Sequence, residues 1–551
     1  MKLPWHCYLA LKQLFPTGRR VSFFSALAIV GVALGVNVII VVIAFMKGFQ
    51  GQFRDDLIDT YGEVLIETQP HEVLSRYGFA VDRDWEADKK RIEEDPDVNA
   101  STPFMGGFVF LELVHEVKKY KAFPRALGVD VESVEDVLPL KKFIEKAKPP
   151  RGYEEVELLM PTIDDLDDET VFVHVSMGEA GVHPPLFFFE PSASQSNQGN
   201  GTLKVLRLSP FVLNDRWTVI FRDEETFEAS SERQGLEPTL FRLDEGPHEI
   251  GGGDLTLGFE VGSQAFAAGD RFQFRVIESS TVEVYGRAVM EGAGLGEDGV
   301  EVIPPRELRV AGFFQTSLLP GVGGDFQMIC SLRLMGELNG REGQVHGFNV
   351  RLNEGLADDD QAVAGVARRL SNDLRDYGYR ALPWFEINPA LLRILKFEEI
   401  LMVVIMIPTV LVAAFAIAIA LMTSVLRKTR EIGLLIAMGG DRLGISIVFC
   451  LQGFVIGVIG VLAGWCLACL MIRFRHVLMD VIVPIFSDQM TDSPYYQHFS
   501  AVKVSLPWES WDIAVTFFWA GLFGVVISTL AGLLPAWKAS RLKPAEALRS
   551  E

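Results

Sequence analysis

Few groups of residues in this sequence have both the types and the spacing that chemistry requires. Gly294-x-Gly296-x-x-Gly299 matches by letter the glycine pattern that lets a backbone approach a pyrophosphate. Glu297 and Asp298 inside it would repel that ligand and no helical pattern follows, so it reads as a plain glycine loop. The run Asp164-Asp165-Leu166-Asp167-Asp168-Glu169 offers carboxylates to Ca²⁺. It lacks the EF-hand spacing and its central glycine, and reads as a solvated acidic loop. Cys466-x-x-Cys469 has redox or metal spacing but lies in an apolar run beside Trp465 and Leu470, where small-residue packing is the better reading. The 9 His form no His-Glu-x-x-His, which leaves a zinc peptidase without support. No Gly-x-x-x-x-Gly-Lys-Ser/Thr occurs, so the chain supplies no Walker A phosphate loop. The sequence predicts no catalytic residue, no metal site and no cofactor bound by this chain.

The elements that would position any site are set by how charge is distributed. The 551 residues carry a formal net charge of −21, yet the mean hydropathy is +0.23. Segregation reconciles the two. Four stretches hold no Asp, Glu, Lys or Arg: Val21–Met46, Ile400–Leu426, Ile445–Ile472 and Ile513–Trp537. About 20 apolar residues in a helix cross a hydrocarbon core of about 30 Å, so all four are long enough to span. The first reads as a retained anchor: it is longer than a signal-peptide core and ends in Phe45-Met46-Lys47 without an Ala-x-Ala site.

Orientation follows from the basic residues beside the spans. Segments 1–20, 427–444 and 538–551 together carry +8, the 473–512 loop carries −2, and residues 47–399 carry −27. The sequence therefore predicts both termini in the cytoplasm, a coupling segment at 427–444, and a 353-residue acidic domain outside. An acidic surface excludes non-specific nucleic-acid binding. With 39 Phe and 9 Trp the chain is not disordered. Only Cys330 falls in the outer domain, so no disulfide can form within it.

Short β-type runs mark both ends of that domain: Gly62–Thr68, Arg271–Ile277, Glu307–Phe314 and His346–Leu352. Helical patterns fall at Trp85–Glu94 and Gln361–Asp376, the latter with Val363, Val366, Leu370 and Leu374 on one face. The expectation is an α+β domain between the first and second of four transmembrane helices. Lys148-Pro-Pro, an acidic run and the polar stretch Ser192–Gly201 mark residues 145–250 as an insertion or a loop-rich part.

Within the spans, small residues recur at helical spacing. Gly31 and Gly35 lie in the first span; Gly453, Gly457, Gly460 and Gly464 share one face of the third. Such faces allow backbones to approach closely, in bundle packing or in a dimer. Asn37, strongly polar at the middle of the first span, should face protein rather than lipid. Pro408 should kink the second span. The coupling segment opens with Arg427, Lys428, Arg430 and Glu431, continues as a greasy helix, and stops at Gly439-Gly440.

These residues bring a family into view. The chain resembles the mechanotransmission-type ABC permeases, and within them the lipoprotein-releasing permeases LolC and LolE. The resemblance is carried by Ser22–Gly35 through Gln50, by Pro383–Glu398 leading into Leu411–Phe415, by Thr429-Arg-Glu-Ile-Gly433 through Met438-Gly439-Gly440, and by Leu534-Pro-Ala-Trp537 through Leu548. Asp84-Trp85 through Pro103, Gly128-Val-Asp130 and Arg309–Phe314 extend it into the outer domain. It implies a non-catalytic subunit of the bacterial inner membrane whose partners are a cytoplasmic ATPase holding ATP and Mg²⁺, and a second permease copy or paralogue. It further implies a lipoprotein substrate entering from membrane lipid and a periplasmic lipoprotein carrier.

By the same resemblance, Arg427, Lys428, Arg430, Glu431, Leu434 and Leu435 would contact the ATPase. Val38, Val42, Met46, Phe49, Leu401, Met402 and Ile405 would line a lateral substrate cavity between the first two spans. The outer domain is longer than this branch usually has, and Pro408, Gly433 and Met438 depart from its usual wording. Efflux with a periplasmic adaptor, or regulation of a cell-wall hydrolase, are the alternatives these departures leave open.

Overall fold

The computed structural model describes residue 12 and residues 23–68, 84–113, 120–145, 147, 159, 161–178, 180–190, 197–233, 238–286, 305–316, 326–427, 429–437, 441–486 and 502–540. The chain forms two compact units, one from Met1–Arg54 with Ala390–Glu551 and one from Asp55–Pro389. The segments 1–11 and 541–551 and the Gly294–Gly299 loop lie outside the described residues.

The first unit is helical. Among the described residues, four helices are long and apolar enough to cross a membrane: Ser25–Tyr61, Leu392–Arg427, Leu443–Arg473 and Trp511–Lys538. The first helix, Phe23–Tyr61, continues well beyond the uncharged run and supplies residues to both units. Val32, Val36 and Ile40 of the first span, Ile417 and Leu421 of the second, Ile456 and Val461 of the third and Phe517 of the fourth share one core. Burial is uneven. Within the most apolar window of each helix, 39% of the first and third spans is buried but only 6% of the second. The second span, Pro389–Arg427 with Pro408 inside the helix, is therefore apolar around a circumference that its own chain leaves largely uncovered.

The glycines of the third span are used inside the bundle. A Cβ at Gly453 would lie 2.8 Å from the Ser528 carbonyl oxygen, and one at Gly457 would overlap Ser528 Oγ. A Cβ at Gly460 would lie 2.5 Å from Val32 Cβ, and one at Gly464 would lie 2.8 Å from the Ala33 carbonyl oxygen. One stripe thus seats the fourth span on one end and the first span on the other, so bundle packing occupies it. Gly31 has only Ala416 near it, and Gly35 is buried. Asn37 is buried as expected, its Nδ2 donating to Met471 Sδ at 3.3 Å.

The second unit is built on an eleven-stranded sheet. From one edge it runs Tyr379–Pro383, Val64–Thr68, Gly347–Leu352, Val98–Phe108, Arg125–Val129 and Met328–Ser331. It continues through Thr170–His174, Arg306–Phe314, Thr281–Tyr285, Phe110–Leu113 and Lys121–Ala122. The pairs Arg306–Phe314 with Thr170–His174 and Met328–Ser331 with Arg125–Val129 are parallel. Helices Trp85–Glu93 and Asp360–Asp373 occupy the expected places. The second is capped by Asp359 and buries Val363, Val366, Ala367 and Leu370. The α+β expectation holds for this unit.

The described part of 145–250, expected as an insertion or a loop-rich part, is built mainly of short strands. The chain leaves the main sheet after Thr170–His174 and rejoins it at Thr281–Tyr285, and between them it forms a five-stranded and a three-stranded sheet. Phe187, Trp217, Phe221, Phe227, Leu255, Phe266 and Phe274 close over a separate core. Phe221 and Phe266 stack at 4.1 Å between centroids. The strands are short, and their alternation, as in Thr202–Leu208, is only a few residues long. Arg207 joins this lobe to the acidic run through an ion pair to Asp165 at 2.9 Å.

Candidate functional site

The coupling segment begins where the second span ends. Thr429–Ala437 is helical, and Thr429 Oγ1 donates to the Leu426 carbonyl at the end of the second span. Asp441 caps the next helix, its carboxylate accepting from the Leu443 N–H at 3.3 Å. Ile432 is the anchor: it is 2% exposed and packs with Val425, Ile445, Phe449 and Ala536. Ala536 belongs to Leu533–Ser540, which follows the fourth span after Gly532, and its carbonyl accepts from Ser446 Oγ at 3.3 Å. Three spans thus hold one face of the short helix.

The opposite face is open. Arg427, Arg430, Glu431 and Leu434 are exposed. Arg430 and Glu431 make no ion pair among the described residues. Lys428, Gly439-Gly440 and the side chain of Leu435 lie outside the described residues. An anchored helix carrying uncompensated charges and an exposed leucine has the composition of a docking rim around an apolar contact.

A cavity of about 570 Å³ opens among the first, second and fourth spans, lined by Ile39, Met406, Val410, Phe415, Phe523 and Ile527 among others. None of the seven residues expected in a substrate cavity lines it. Met46 and Phe49 are buried, Val38, Leu401 and Ile405 are exposed elsewhere on the bundle, and Val42 and Met402 are half-buried. The fourth-span contribution carries no signal in the sequence, because a uniformly apolar helix does not reveal which face meets its neighbours. A second cavity, about 660 Å³, takes Trp465, Cys466, Cys469, Arg473, Trp508 and Phe517. Cys466 and Cys469 therefore border open space rather than only filling helix contacts.

The acidic run is occupied by its own domain. Asp165 accepts from Thr162 N–H at 2.7 Å and from Arg207, Asp167 from Glu169 N–H at 2.8 Å, and Asp168 from Ser331 Oγ at 2.6 Å. Among the described residues no group of three or more His, Cys, Asp or Glu is placed to hold a metal ion. Burial pushes the Cys330 thiol up to about 12 and the His174 imidazole down to about 4, so neither is poised for chemistry near neutral pH.

Four apolar helices with a large α+β unit placed in sequence between the first two define a multi-span membrane protein. Residues 403–544 match the model of the FtsX-like permease C-terminal family, a stretch that takes in most of the second span, the helix Thr429–Ala437 and the third and fourth spans. LolC, the lipoprotein-releasing system transmembrane protein of Xylella fastidiosa strain 9a5c, is 29% identical over 187 residues, covering 34% of this chain and 43% of LolC. LolC of Neisseria meningitidis is 27% identical over 204 residues, covering 36% of this chain and 45% of that one. An uncharacterised ABC transporter permease, MJ1507 of Methanocaldococcus jannaschii, is 23% identical over 252 residues, covering 45% and 56%. The matched region thus spans less than half the length of these LolC relatives. The periplasmic region of MacB from Actinobacillus actinomycetemcomitans aligns over 61% of this chain and 95% of its own, at 10% identity and a TM-score of 0.25, which carries no argument. The resemblance to ABC permeases of the LolC and LolE kind drawn from the residues is borne out.

Proposed function

We propose that this chain is the membrane subunit of an ABC transporter of the FtsX and LolC type, driven by a separate cytoplasmic ATPase. The observation that carries the reading is the helix Thr429–Ala437, anchored by Ile432 and open along Arg430, Glu431 and Leu434, inside the segment that matches the permease family. ATP and Mg²⁺ belong to the partner. This chain receives the motion: a push on the short helix passes through Ile432 to Val425, Ile445 and Ala536, and so to three spans together. Both termini and the coupling segment lie in the cytoplasm, the acidic domain lies in the periplasm, and the membrane is the bacterial inner membrane. A second permease copy or paralogue completes the assembly. The little-buried second span supports this, because an apolar helix face gains packing in lipid only from another helix.

The finer proposal is that the cargo is a lipoprotein, passed from the membrane to a periplasmic carrier. Its support is the LolC relatives and an apolar cavity of about 570 Å³ between spans, sized for acyl chain. Each methylene taken from the bilayer costs about 0.8 kcal/mol, which makes extraction dependent on ATP. The test is reconstitution with the cognate ATPase, a soluble carrier and a triacylated model lipoprotein in proteoliposomes. Release only with ATP and carrier is expected. Release unchanged without ATP contradicts the reading, and ATP-driven cycling with no release removes the lipoprotein part alone.

A further inference from the structure

We propose that the inserted β lobe carries a binding cleft for a carboxylate-bearing peptide segment, built on Arg216, Arg233 and Arg275. Arg216 and Arg275 stand directly opposite one another on neighbouring antiparallel strands, Asp215–Phe221 and Arg271–Ile277. Like charges directly opposite in a sheet repel, so the pair calls for negative charge nearby. Arg216 has it: its guanidinium meets Glu190 at 2.7 Å and Glu232 at 3.2 Å. Arg275 and Arg233 are both exposed, and their guanidiniums meet no carboxylate among the described residues. All three border one cleft of about 560 Å³ with Leu213, Asp215 and Glu232.

Three guanidiniums in one cleft stand out in a region, 47–399, of net charge −27. Solubility explains an acidic surface, but it does not explain gathering cations on an otherwise acidic one. Guanidinium forks take carboxylates bidentately. The cleft is far larger than a single ion, and exposed Leu213 offers an apolar contact beside the charges. Asp215 is turned to its own chain, accepting from Ser231 Oγ and from the Arg216 N–H, while Glu232 remains at the rim. Those two acids disfavour a compact dianion such as phosphate. They tolerate single carboxylates spaced along a chain with apolar side chains between them.

The full-length protein in detergent, titrated into fluorescein-labelled (Glu-Leu)3 amide, tests this by anisotropy. Saturable binding is expected, absent for the (Lys-Leu)3 counterpart and not displaced by inorganic phosphate. Arg275→Gln and Arg233→Gln should each weaken it about tenfold, the loss of one charge-assisted contact. Arg275→Lys, which keeps the charge without the fork, should lose less. In the absence of peptide, Arg275→Gln should leave Tm unchanged or raised, because it relieves the repulsion from Arg216; a lowered Tm makes Arg275 a structural residue and overturns the assignment. No saturable binding by wild type, equal binding by the Arg233→Gln/Arg275→Gln double variant, or full displacement by phosphate also overturns it.

Discussion

Gly460 of the third span passes Val32 of the first so closely that a Cβ built on it would lie 2.5 Å from the valine Cβ. Val32 is 4% exposed and the Ile29 carbonyl lies behind it, so neither side can yield cheaply. Gly460→Val should separate these helices, at a cost of about 1–3 kcal/mol or more. Gly51→Ala, with nothing within 4 Å of the added carbon, should be neutral or stabilising. Thermal unfolding of the two variants in the same detergent distinguishes them; equal Tm values would show that the glycine stripe does not set the packing.

Within the second unit, Glu63 ties the first strand region to the strand beside it. Its carboxylate is almost completely buried and accepts from Arg351 at 3.1 Å and from the Leu352 N–H at 3.1 Å. Its carbonyl accepts from the Trp384 N–H at 2.9 Å. Glu63→Ala leaves both donors short of an acceptor and should destabilise this unit by about 3 kcal/mol. Faster limited proteolysis within Asp55–Pro389 is the expected readout, and an unchanged cleavage rate counts against the role.

The second unit should lose stability toward both pH extremes. His174 is neutral in the fold, held low by burial, with Nδ1 accepting from the Ser176 N–H at 3.3 Å. Its contribution is full above the unfolded pKa of about 6.5 and is lost as pH falls toward 4. Cys330 is raised by burial, so its contribution is present below the unfolded pKa of about 8.5 and declines as pH rises toward 12. His174→Gln should flatten the acid side of a Tm–pH profile and Cys330→Ala the alkaline side. A parallel downward shift of the whole curve would contradict the assignment.

The spans were legible because charge is excluded from them over more than a bilayer's thickness, a signal that does not depend on which face packs. The amphipathic helix Asp360–Asp373 was legible for a similar reason: Val363, Val366 and Leu370 repeat at its own period. The strands and core of the inserted lobe were not. Its strands are short, and its core is a Phe cluster assembled from residues as distant as Phe187 and Phe274, which no local pattern reveals. The helix Thr429–Ala437 was readable from Arg430 and Glu431 beside apolar residues. Its anchorage on Ala536 was not, because that contact joins segments about a hundred residues apart. The cavity illustrates the same limit: Phe523 and Ile527 reach it from the fourth span only through tertiary packing.

The proposed function sets the ATPase against the face of Thr429–Ala437 that carries Arg430, Glu431 and Leu434. Co-purification of the full chain with its cognate ATPase, comparing wild type with Glu431→Lys, tests it most directly. Glu431 is exposed, so the substitution should leave Tm unchanged while reversing a charge at the contact. The account predicts a stable complex for wild type, and for Glu431→Lys a complex weakened at least tenfold or ATP turnover that no longer responds to the permease. Equal assembly and equal ATPase response in the two proteins would contradict it.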